Sequence, residues 1–161
     1  MATLFAFTSV AMADLKSEIT TYNKKMEQVF LKNDFKTFAK LTKEVCTKDF
    51  KYIEGGKSMN YDQMLAMMKG SFSGGMGKVT KAETKVVSAK EKGNTGTSKV
   101  IYTMVMTSKE GGKTHVTKMV GNVENTYRKE GGKWKTSIMD WKDTKMTVDG
   151  KPMDMSKMGG G

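Results

Sequence analysis

Residues 114–147, THVTKMVGNVENTYRKEGGKWKTSIMDWKDTKMT, decide the fold, because apolar and polar side chains alternate along both halves of the stretch. Alternation with a period of two is typical of β-strands that bury one face. The EGG between the halves supplies two adjacent glycines, which suit a tight hairpin turn. The stretch therefore predicts two long antiparallel strands, at about 114–129 and 133–147.

The tetrapeptide EGGK occurs three times, at residues 54–57, 110–113 and 130–133, and VDGK at 148–151 is close to a fourth copy. A glycine pair before a lysine raises the possibility of a phosphate-binding loop. Such a loop requires a longer glycine frame between a strand and a helix, with Ser or Thr after the lysine. Because that frame is absent, we interpret EGGK as a repeated turn whose glycines supply positive φ angles.

The first half of the chain has a different period, close to 3.6. Apolar side chains recur every three or four residues over 14–32, which predicts a helix, and Asp34 is placed to cap a second one. A short strand is expected at 49–53. Asn60 and Gln63 have the spacing of a capping box for a short third helix, which should end near Gly70.

Two further alternating segments, at about 78–91 and 97–108, precede the opening stretch. Helices followed by a run of long strands indicate an α+β fold. Strands of this length exceed the usual five or six residues, so the sheet must be strongly curved. Gly121 interrupts its strand and is the predicted bulge. We therefore expect a cone-shaped antiparallel sheet wrapped over N-terminal helices, with a ligand cavity inside the cone.

The charge balance is strongly basic, with 28 Lys and Arg against 17 Asp and Glu and a net charge of +11. The lysines are spread along the chain among carboxylates, and Arg128 is the single arginine, although arginine makes most bidentate contacts to bases. We therefore expect no specific nucleic-acid partner. No apolar run approaches the length of a membrane span. Cys46 is the single cysteine, so an intramolecular disulfide is excluded and a buried thiol is expected.

The first thirteen residues, MATLFAFTSVAMA, carry no charge. A short apolar run followed by Ala11 and Ala13 predicts the remnant of a secretory signal, cleaved before Asp14. The alternative is a buried first turn of the following helix. The signal predicts a secreted or periplasmic protein. The expected organisation is then a domain over 14–147 and a turn with a flexible Met- and Gly-rich tail over 148–161.

The order of these elements resembles the nuclear transport factor 2-like superfamily, and in particular its small SnoaL-like bacterial members. Three stretches carry the resemblance: ITTYNKKMEQVFLKNDFKTFAKLTKEV, KDFKYIEGGKSMNYDQMLAMM and NTYRKEGGKWKTSIMDWK. They match the paired opening helices, the strand with its glycine turn and third helix, and the closing hairpin. The resemblance implies a cystatin-like roll. The superfamily hosts many functions, so the fold does not specify one.

In the enzymes of this superfamily, acid–base groups line the cone, and ketosteroid isomerase-like members use an Asp base with a Tyr partner. The matching candidates for catalysis here are Asp140, His115 and Tyr102. Strict alternation places Asp140 on the same face as Trp134. Each candidate also has an ordinary structural interpretation, as a solvated strand-end Asp, an exposed His near a turn and a core Tyr. We therefore give no firm catalytic assignment and expect no cofactor.

The expected ligand pocket combines aromatic, thioether and polar side chains on the inner faces of the strands. Its predicted members are Tyr52, Tyr102, Met104, Met106, His115, Met119, Trp134, Ile138 and Asp140. Such a lining suits a small, mainly apolar or amphipathic molecule, because methionine adapts to irregular shapes. The function expected first is therefore an exported ligand-binding or dimerising accessory domain, and the alternative is a small lyase or isomerase.

Sixteen methionines are a second unusual feature. Thioethers select Cu(I), so Met153, Met155 and Met158 in the tail form a weak candidate metal site and a periplasmic copper-binding protein is a further alternative. Packing is the simpler explanation for the helical methionines. A third possible role is interaction through the open sheet face. A homodimer is expected there, with Trp141, Met139 and Val105 forming an apolar patch.

Overall fold

The computed structural model of the protein describes residues 14–75 and 77–153. The predicted signal at 1–13 and the tail from residue 154 onward, with Met155 and Met158, lie outside the described residues. Three helices precede the four long strands, and two short strands lie between the second and the third helix. A short π-helical turn, Ser71–Gly75, follows the third helix. The helices are α1 (Leu15–Leu31), α2 (Phe35–Val45) and α3 (Tyr61–Gly70).

Seven strands form one sheet in the order β2-β1-β6-β5-β4-β3, and β7 pairs with β6. Strand β1 runs parallel to β6, and the other pairs are antiparallel. The α+β class and the predicted long strands are confirmed. The strands are β1 (Cys46–Glu54), β2 (Lys57–Met59), β3 (Lys78–Lys92), β4 (Thr95–Glu110), β5 (Lys113–Glu130), β6 (Lys133–Val148) and β7 (Lys151–Pro152).

Each helix begins at a side-chain cap, which satisfies backbone N–H groups that have no partner within the helix. An Asp14 carboxylate oxygen accepts a hydrogen bond from the Ser17 N–H at 2.7 Å, and Asp34 caps α2. The predicted capping box of α3 is present, because Asn60 and Gln63 exchange side-chain and backbone hydrogen bonds at 2.9 and 3.0 Å.

All three EGGK copies form the same two-residue turn, which confirms their interpretation as repeated turns between strands. The copy at 54–57 joins β1 to β2, and the other two join β4 to β5 and β5 to β6. Both glycines of each pair have positive φ, for example 58° at Gly131 and 79° at Gly132. Asp149 and Gly150 repeat the geometry between β6 and β7, with φ of 49° and 78°.

The predicted bulge at Gly121 is wrong, because β5 pairs with β4 without any register shift. In the β5–β6 pair, the bulges lie on β6 instead. Asn122 pairs with Asp143 while Val123 pairs with Trp141, so Lys142 is an extra residue, and a second shift leaves Ser137 extra. A bulge bends its strand and reverses the alternation of faces beyond it.

Gly121 serves a packing role rather than a conformational one. The Trp141 ring lies directly on it, and a Cβ at this position would approach the ring Cε3 atom to 2.7 Å. A strand glycine often marks such a close approach. The missing side chain at Gly121 therefore allows the Trp141 ring to lie against the strand backbone at this position.

The curved sheet packs its inner face against the helices, and α1 contacts β3 extensively. The buried residues form three clusters. The largest lies where α2 and α3 meet β1, and it contains Cys46, whose buried thiol was expected. The second surrounds the N-terminal half of α1, and the third is formed by β3 and β4 residues including Met104 and Met106.

Among the described residues, no helix is both long enough and apolar enough to span a bilayer.

Candidate functional site

The best-enclosed site is a cavity of about 60 Å³ between α1 and the inner face of the sheet. Its wall combines four aliphatic or thioether side chains, four aromatic ones and four polar ones. The lining residues are Leu15, Glu18, Ile19, Tyr22, Asn23, Val45, Tyr102, Asn125, Tyr127, Trp134, Thr136 and Met139.

Helix α1 supplies the first five of these residues, spaced three and four positions apart so that they share one face. Two contacts with the sheet fix the helix over the cavity. The backbone N–H of Leu15 donates to the Glu91 carboxylate at 2.5 Å, and the backbone N–H of Trp134 donates to the Glu18 carboxylate at 3.4 Å. The start of α1 is therefore held to both β3 and β6.

The strands supply the opposite wall, and the Ser137 bulge decides which side chains of β6 reach it. Before the bulge Thr136 pairs with inward-facing Tyr127, and after it Met139 pairs with inward-facing Asn125. Without the extra residue, Met139 would point away from the cavity. The bulge thus places an even-numbered and an odd-numbered residue of one strand on the same wall.

A hydrogen-bonded group of polar side chains lies within this wall. Ser98 Oγ and Tyr127 Oη are 2.9 Å apart, and Asn125 Nδ2 donates to Ser98 Oγ at 3.4 Å. Tyr102 Oη donates to Asn23 Oδ1 at 3.5 Å. Asn23 and Asn125 are 2% and 3% exposed, so their hydrogen-bonding groups are shielded from bulk water.

Three polar atoms of the cavity lining remain without a hydrogen-bond partner among the described residues: Asn23 Nδ2, Asn125 Oδ1 and Trp134 Nε1. An unsatisfied buried donor or acceptor costs about 1–3 kcal/mol. Two donors and one acceptor that belong to the lining of a single small cavity are therefore left unpaired at a cost to stability. Their presence in one lining is the chemical feature that distinguishes the site.

Burial keeps the tyrosines of the cavity in their neutral form. It raises the pKa of Tyr127 to about 12, an effect that the hydrogen bonds from Ser98 and Asn125 partly oppose. Burial also raises the pKa of Tyr102 and of Tyr22 well above the usual value. Their hydroxyl groups are consequently protonated at neutral pH and act as hydrogen-bond donors or acceptors rather than as bases.

Of the residues predicted for the pocket, Tyr102 and Trp134 line the cavity. Tyr52 is buried in the neighbouring cluster, where its hydroxyl donates to Glu54 at 2.9 Å. Met104 and Met106 are also on the inner face, packed with β3, and Met119 borders them. These methionines fill the cone beside the cavity instead of lining it.

The expectation that Asp140 shares a face with Trp134 is wrong, because the Ser137 bulge lies between them. Ile138 and Asp140 consequently point to the outer face, where Asp140 pairs with Lys142. His115 lies at the far end of β5, half-buried, with Nδ1 2.7 Å from the Asp149 carboxylate. The structure therefore does not bring Asp140 and His115 together with Tyr102.

The same bulge corrects the expected apolar patch on the sheet face. Met139 and Trp141 point inward and pack against the largest core cluster. The Trp141 ring centroid is 5.4 Å from that of Tyr102 and 6.5 Å from that of Tyr52. Of the predicted patch, Val105 alone is on the outer face, opposite Lys118.

The candidate metal site has one described member, Met153, whose N–H donates to the Met146 carbonyl oxygen at 2.9 Å. Within residues 14–75 and 77–153, no group of three or more His, Cys, Asp or Glu side chains is arranged to hold a metal ion. The copper alternative therefore rests on thioethers outside the described residues.

Sequence reasoning did not identify Glu18, Tyr22, Asn23, Asn125 and Tyr127 as site residues. The signal was present in two places. Asn23 falls on the buried stripe of α1, next to Tyr22, and Asn125 alternates with buried neighbours on β5. A polar side chain at a position where the period demands an apolar one is the more informative observation.

Comparisons with solved structures identify the fold. A conserved protein from Planctomyces limnophilus has a TM-score of 0.62 and 14% identity, over 76% of this chain and 90% of that one. A nuclear transport factor 2-like superfamily protein from Salmonella enterica has a TM-score of 0.57 and 16% identity, over 90% and 96%. An NTF2-like protein from Cytophaga hutchinsonii has a TM-score of 0.53 and 13% identity, over 80% and 98%.

No protein-family model and no curated protein matches the chain. The structural likenesses show that the chain has the nuclear transport factor 2-like fold, as the sequence pattern suggested. At these identities they define the class of architecture and leave the activity to be argued from the cavity.

Proposed function

We propose that this protein is a small-ligand-binding domain and that its site is the cavity between α1 and the sheet. One observation carries the proposal: Asn23 Nδ2, Asn125 Oδ1 and Trp134 Nε1 are buried, have no hydrogen-bond partner within the described part of the chain, and belong to residues of one cavity lining. Buried polar groups in folded proteins are nearly always paired. A ligand that forms hydrogen bonds with all three atoms offsets the free-energy cost of leaving them unpaired.

The lining indicates the chemistry of the ligand. An acceptor group on the ligand would satisfy Asn23 Nδ2 and Trp134 Nε1, and a donor group would satisfy Asn125 Oδ1. Leu15 and Ile19 offer aliphatic surface to the remainder of the molecule. A volume of about 60 Å³ is far below that of a drug-sized site, so the ligand has few non-hydrogen atoms.

A calorimetric screen of small neutral fragments that carry both a donor and an acceptor tests this proposal. We expect Asn125→Ala to weaken the best binder about tenfold, since one hydrogen bond in a buried site is worth roughly 1–2 kcal/mol. Asn122→Ala is the matched control, because Asn122 lies three residues earlier on β5 and is exposed. Equal loss of binding in both variants, or no binder among the fragments, would contradict the proposal.

We extend the proposal to export. Cleavage before Asp14 would leave α1 intact, because Asp14 is the N-cap and the helix begins at Leu15. The amino-terminal sequence of the protein recovered from the secreting cell's periplasm or medium tests this. A mature chain starting at Asp14 is expected, and a chain that keeps residues 1–13 would contradict it.

We also propose that the domain forms a homodimer across its outer sheet face. The supporting feature is a region of that face where opposite charges are paired, such as Lys99 and Glu124 at 2.8 Å. Opposite charges allow two identical surfaces to meet without net repulsion. Light scattering on the purified protein is expected to give twice the monomer mass, and a strict monomer would contradict this part of the proposal.

A further inference from the structure

The outer face of the sheet is chemically different at its two ends. At the end near the β4–β5 turn, five lysines surround three valines, and we call this group the distal patch. Its members are Lys78, Lys81, Lys109, Lys118, Lys145, Val105, Val116 and Val120.

Strand register places these side chains together. Val105 pairs with Lys81 on one side and Lys118 on the other, and Val120 pairs with Lys145. Directly paired side chains on one face lie about 5 Å apart. The residues adjacent along β4, Met104 and Met106, are buried, so the patch residues point away from the core.

The patch is open to solvent and carries apolar surface. Val116 is 43% exposed, which makes it one of the few large hydrophobic residues that the fold leaves exposed. Val105 and Val120 are half-buried, and the lysines at 78, 109, 118 and 145 are exposed. The result is a short aliphatic stripe with ammonium groups on its borders.

The five lysines of the distal patch outnumber the carboxylates beside it. Glu83 lies 2.9 Å from Lys81, an Asp149 carboxylate oxygen accepts a hydrogen bond from the Val116 N–H at 2.8 Å, and Asp143 is on the same face two residues before Lys145. Lys118 and Lys145 form no ion pair with any described residue. At the other end of the outer face Lys99 is paired with Glu124 and Lys142 with Asp140, so the charges of these two lysines are balanced by carboxylates.

We propose that the distal patch docks the protein on a bilayer surface that contains anionic phospholipid. Lysines are attracted to such a surface, and aliphatic side chains between them enter the boundary between headgroups and acyl chains. A nucleic acid would use the lysines but not the valines. Base recognition also relies on stacking against aromatic rings, and the patch contains none.

A homodimer that used this end of the face would bring two sets of five lysines together, and like charges would oppose it. The dimer proposed above therefore belongs at the balanced end, which leaves the distal patch free. Docking does not depend on the cavity, so a failure of ligand binding would leave this proposal standing.

Sedimentation with vesicles of phosphatidylcholine, with and without phosphatidylglycerol, tests the docking. We expect binding to the anionic vesicles and little binding to pure phosphatidylcholine. Lys118→Glu with Lys145→Glu should weaken binding roughly thirtyfold or more, since each lysine near such a surface contributes appreciably to the free energy of binding. Val116→Ser should weaken it about threefold, because apolar insertion is then reduced.

Lys40→Glu with Lys43→Glu is the matched control, because it makes the same change in net charge on exposed positions of α2. The control should lower binding less than threefold, by the general charge effect alone. Equal losses in the two double variants, or absence of binding to anionic vesicles, would overturn the proposal. Patch-dependent binding of duplex DNA that is tighter than vesicle binding would replace the lipid with a nucleic acid and overturn it as well.

Discussion

The two ends of the cone interior differ in how they are packed. At the end formed by α2, α3 and β1, four phenylalanines pack with ring centroids 5.3 to 6.2 Å apart. At the other end, around the start of α1, one amide atom of each of two buried asparagines and one tryptophan indole N–H have no hydrogen-bond partner among the described residues. The phenylalanines are Phe30, Phe35, Phe38 and Phe72.

This difference indicates that one end of the domain provides stability and the other end provides the proposed ligand site. Aromatic packing contributes both buried area and favourable ring geometry, so the phenylalanine end supports the fold. Open polar groups detract from stability, and a site for a ligand requires them. Substitutions at the two ends should therefore have opposite profiles in stability and binding.

The largest effect is expected from Phe38→Ala. Phe38 is 5% exposed and contacts Phe30, Phe35 and Phe72. Its truncation should lower the free energy of unfolding by about 3–5 kcal/mol. Urea denaturation measures the change. Leu31→Ala, at a position 36% exposed, is the control and should cost far less. Similar losses for both would show that the phenylalanine end has no special role.

Gly121→Ala affects the boundary between the two ends. The new methyl group would strike the Trp141 ring, whose centroid lies 6.5 Å from that of Tyr52 and 5.4 Å from that of Tyr102. Overpacking of this kind costs about 1–3 kcal/mol. Gly70→Ala is the control, because nothing lies near a Cβ there.

A double variant identifies the cause of the Gly121→Ala effect. If the ring clash is responsible, the penalty should largely disappear when Trp141 is already replaced by Leu, since coupled sites are not additive. An additive result in the same urea measurement would contradict the packing role of Gly121.

Alkaline pH should weaken the phenylalanine end through Cys46. Burial raises the pKa of this thiol to about 12 from an ordinary 9.0. The unfolded chain then releases its proton first as pH rises, so stability is retained below pH 9 and lost between pH 9 and about 12. The loss should be on the order of 1 kcal/mol by pH 10.

Cys46→Val provides the comparison, because it removes the titrating group and keeps a small apolar side chain. Its unfolding free energy should decline less steeply over the same pH interval than that of the unchanged protein. Parallel pH profiles would show that the buried thiol does not contribute. Tyrosines of the unfolded chain also release protons in this range, and this contribution is common to both proteins.

The smallest effect on stability is expected at the cavity end. Asn23→Leu removes an unpaired Nδ2 and a weak contact from Tyr102, and adds apolar volume next to a cavity. The unfolding free energy should change by less than about 1 kcal/mol, in either direction. Fragment binding should nevertheless be lost. A large destabilisation in thermal unfolding would mean that Asn23 supports the fold instead.

Sequence periodicity predicted the elements because helices and half-buried strands repeat their apolar positions faithfully. The glycine pairs located the turns for the same reason, since few residues tolerate positive φ. The bulges at Ser137 and Lys142 were not predictable, because neither residue has a distinctive backbone preference. Gly121 was the predicted bulge, yet its strand pairing is regular and its missing side chain leaves room for Trp141.

Because the Ser137 bulge was not predicted, the faces of the β6 residues beyond it were assigned wrongly at the site. Ignoring the bulge placed Asp140 inside the cone and Met139 outside, which is the reverse of the structure. The inward positions on β4 followed the alternation, so Tyr102 was placed correctly as an inner-face residue. The unpaired atoms of Asn23 and Asn125 depend on long-range contacts, which a pattern along one chain does not encode.

The two tryptophans offer the most direct test of the claim that the cavity end is a ligand site. Both indole Nε1 atoms are buried and unpaired, but only Trp134 lines the cavity. Two-dimensional NMR resolves the two indole N–H signals during titration with a fragment from the calorimetric screen. If the cavity is the ligand site, the Trp134 signal shifts and the Trp141 signal stays in place. Equal shifts of both signals, or a shift of Trp141 alone, would contradict this assignment of the site.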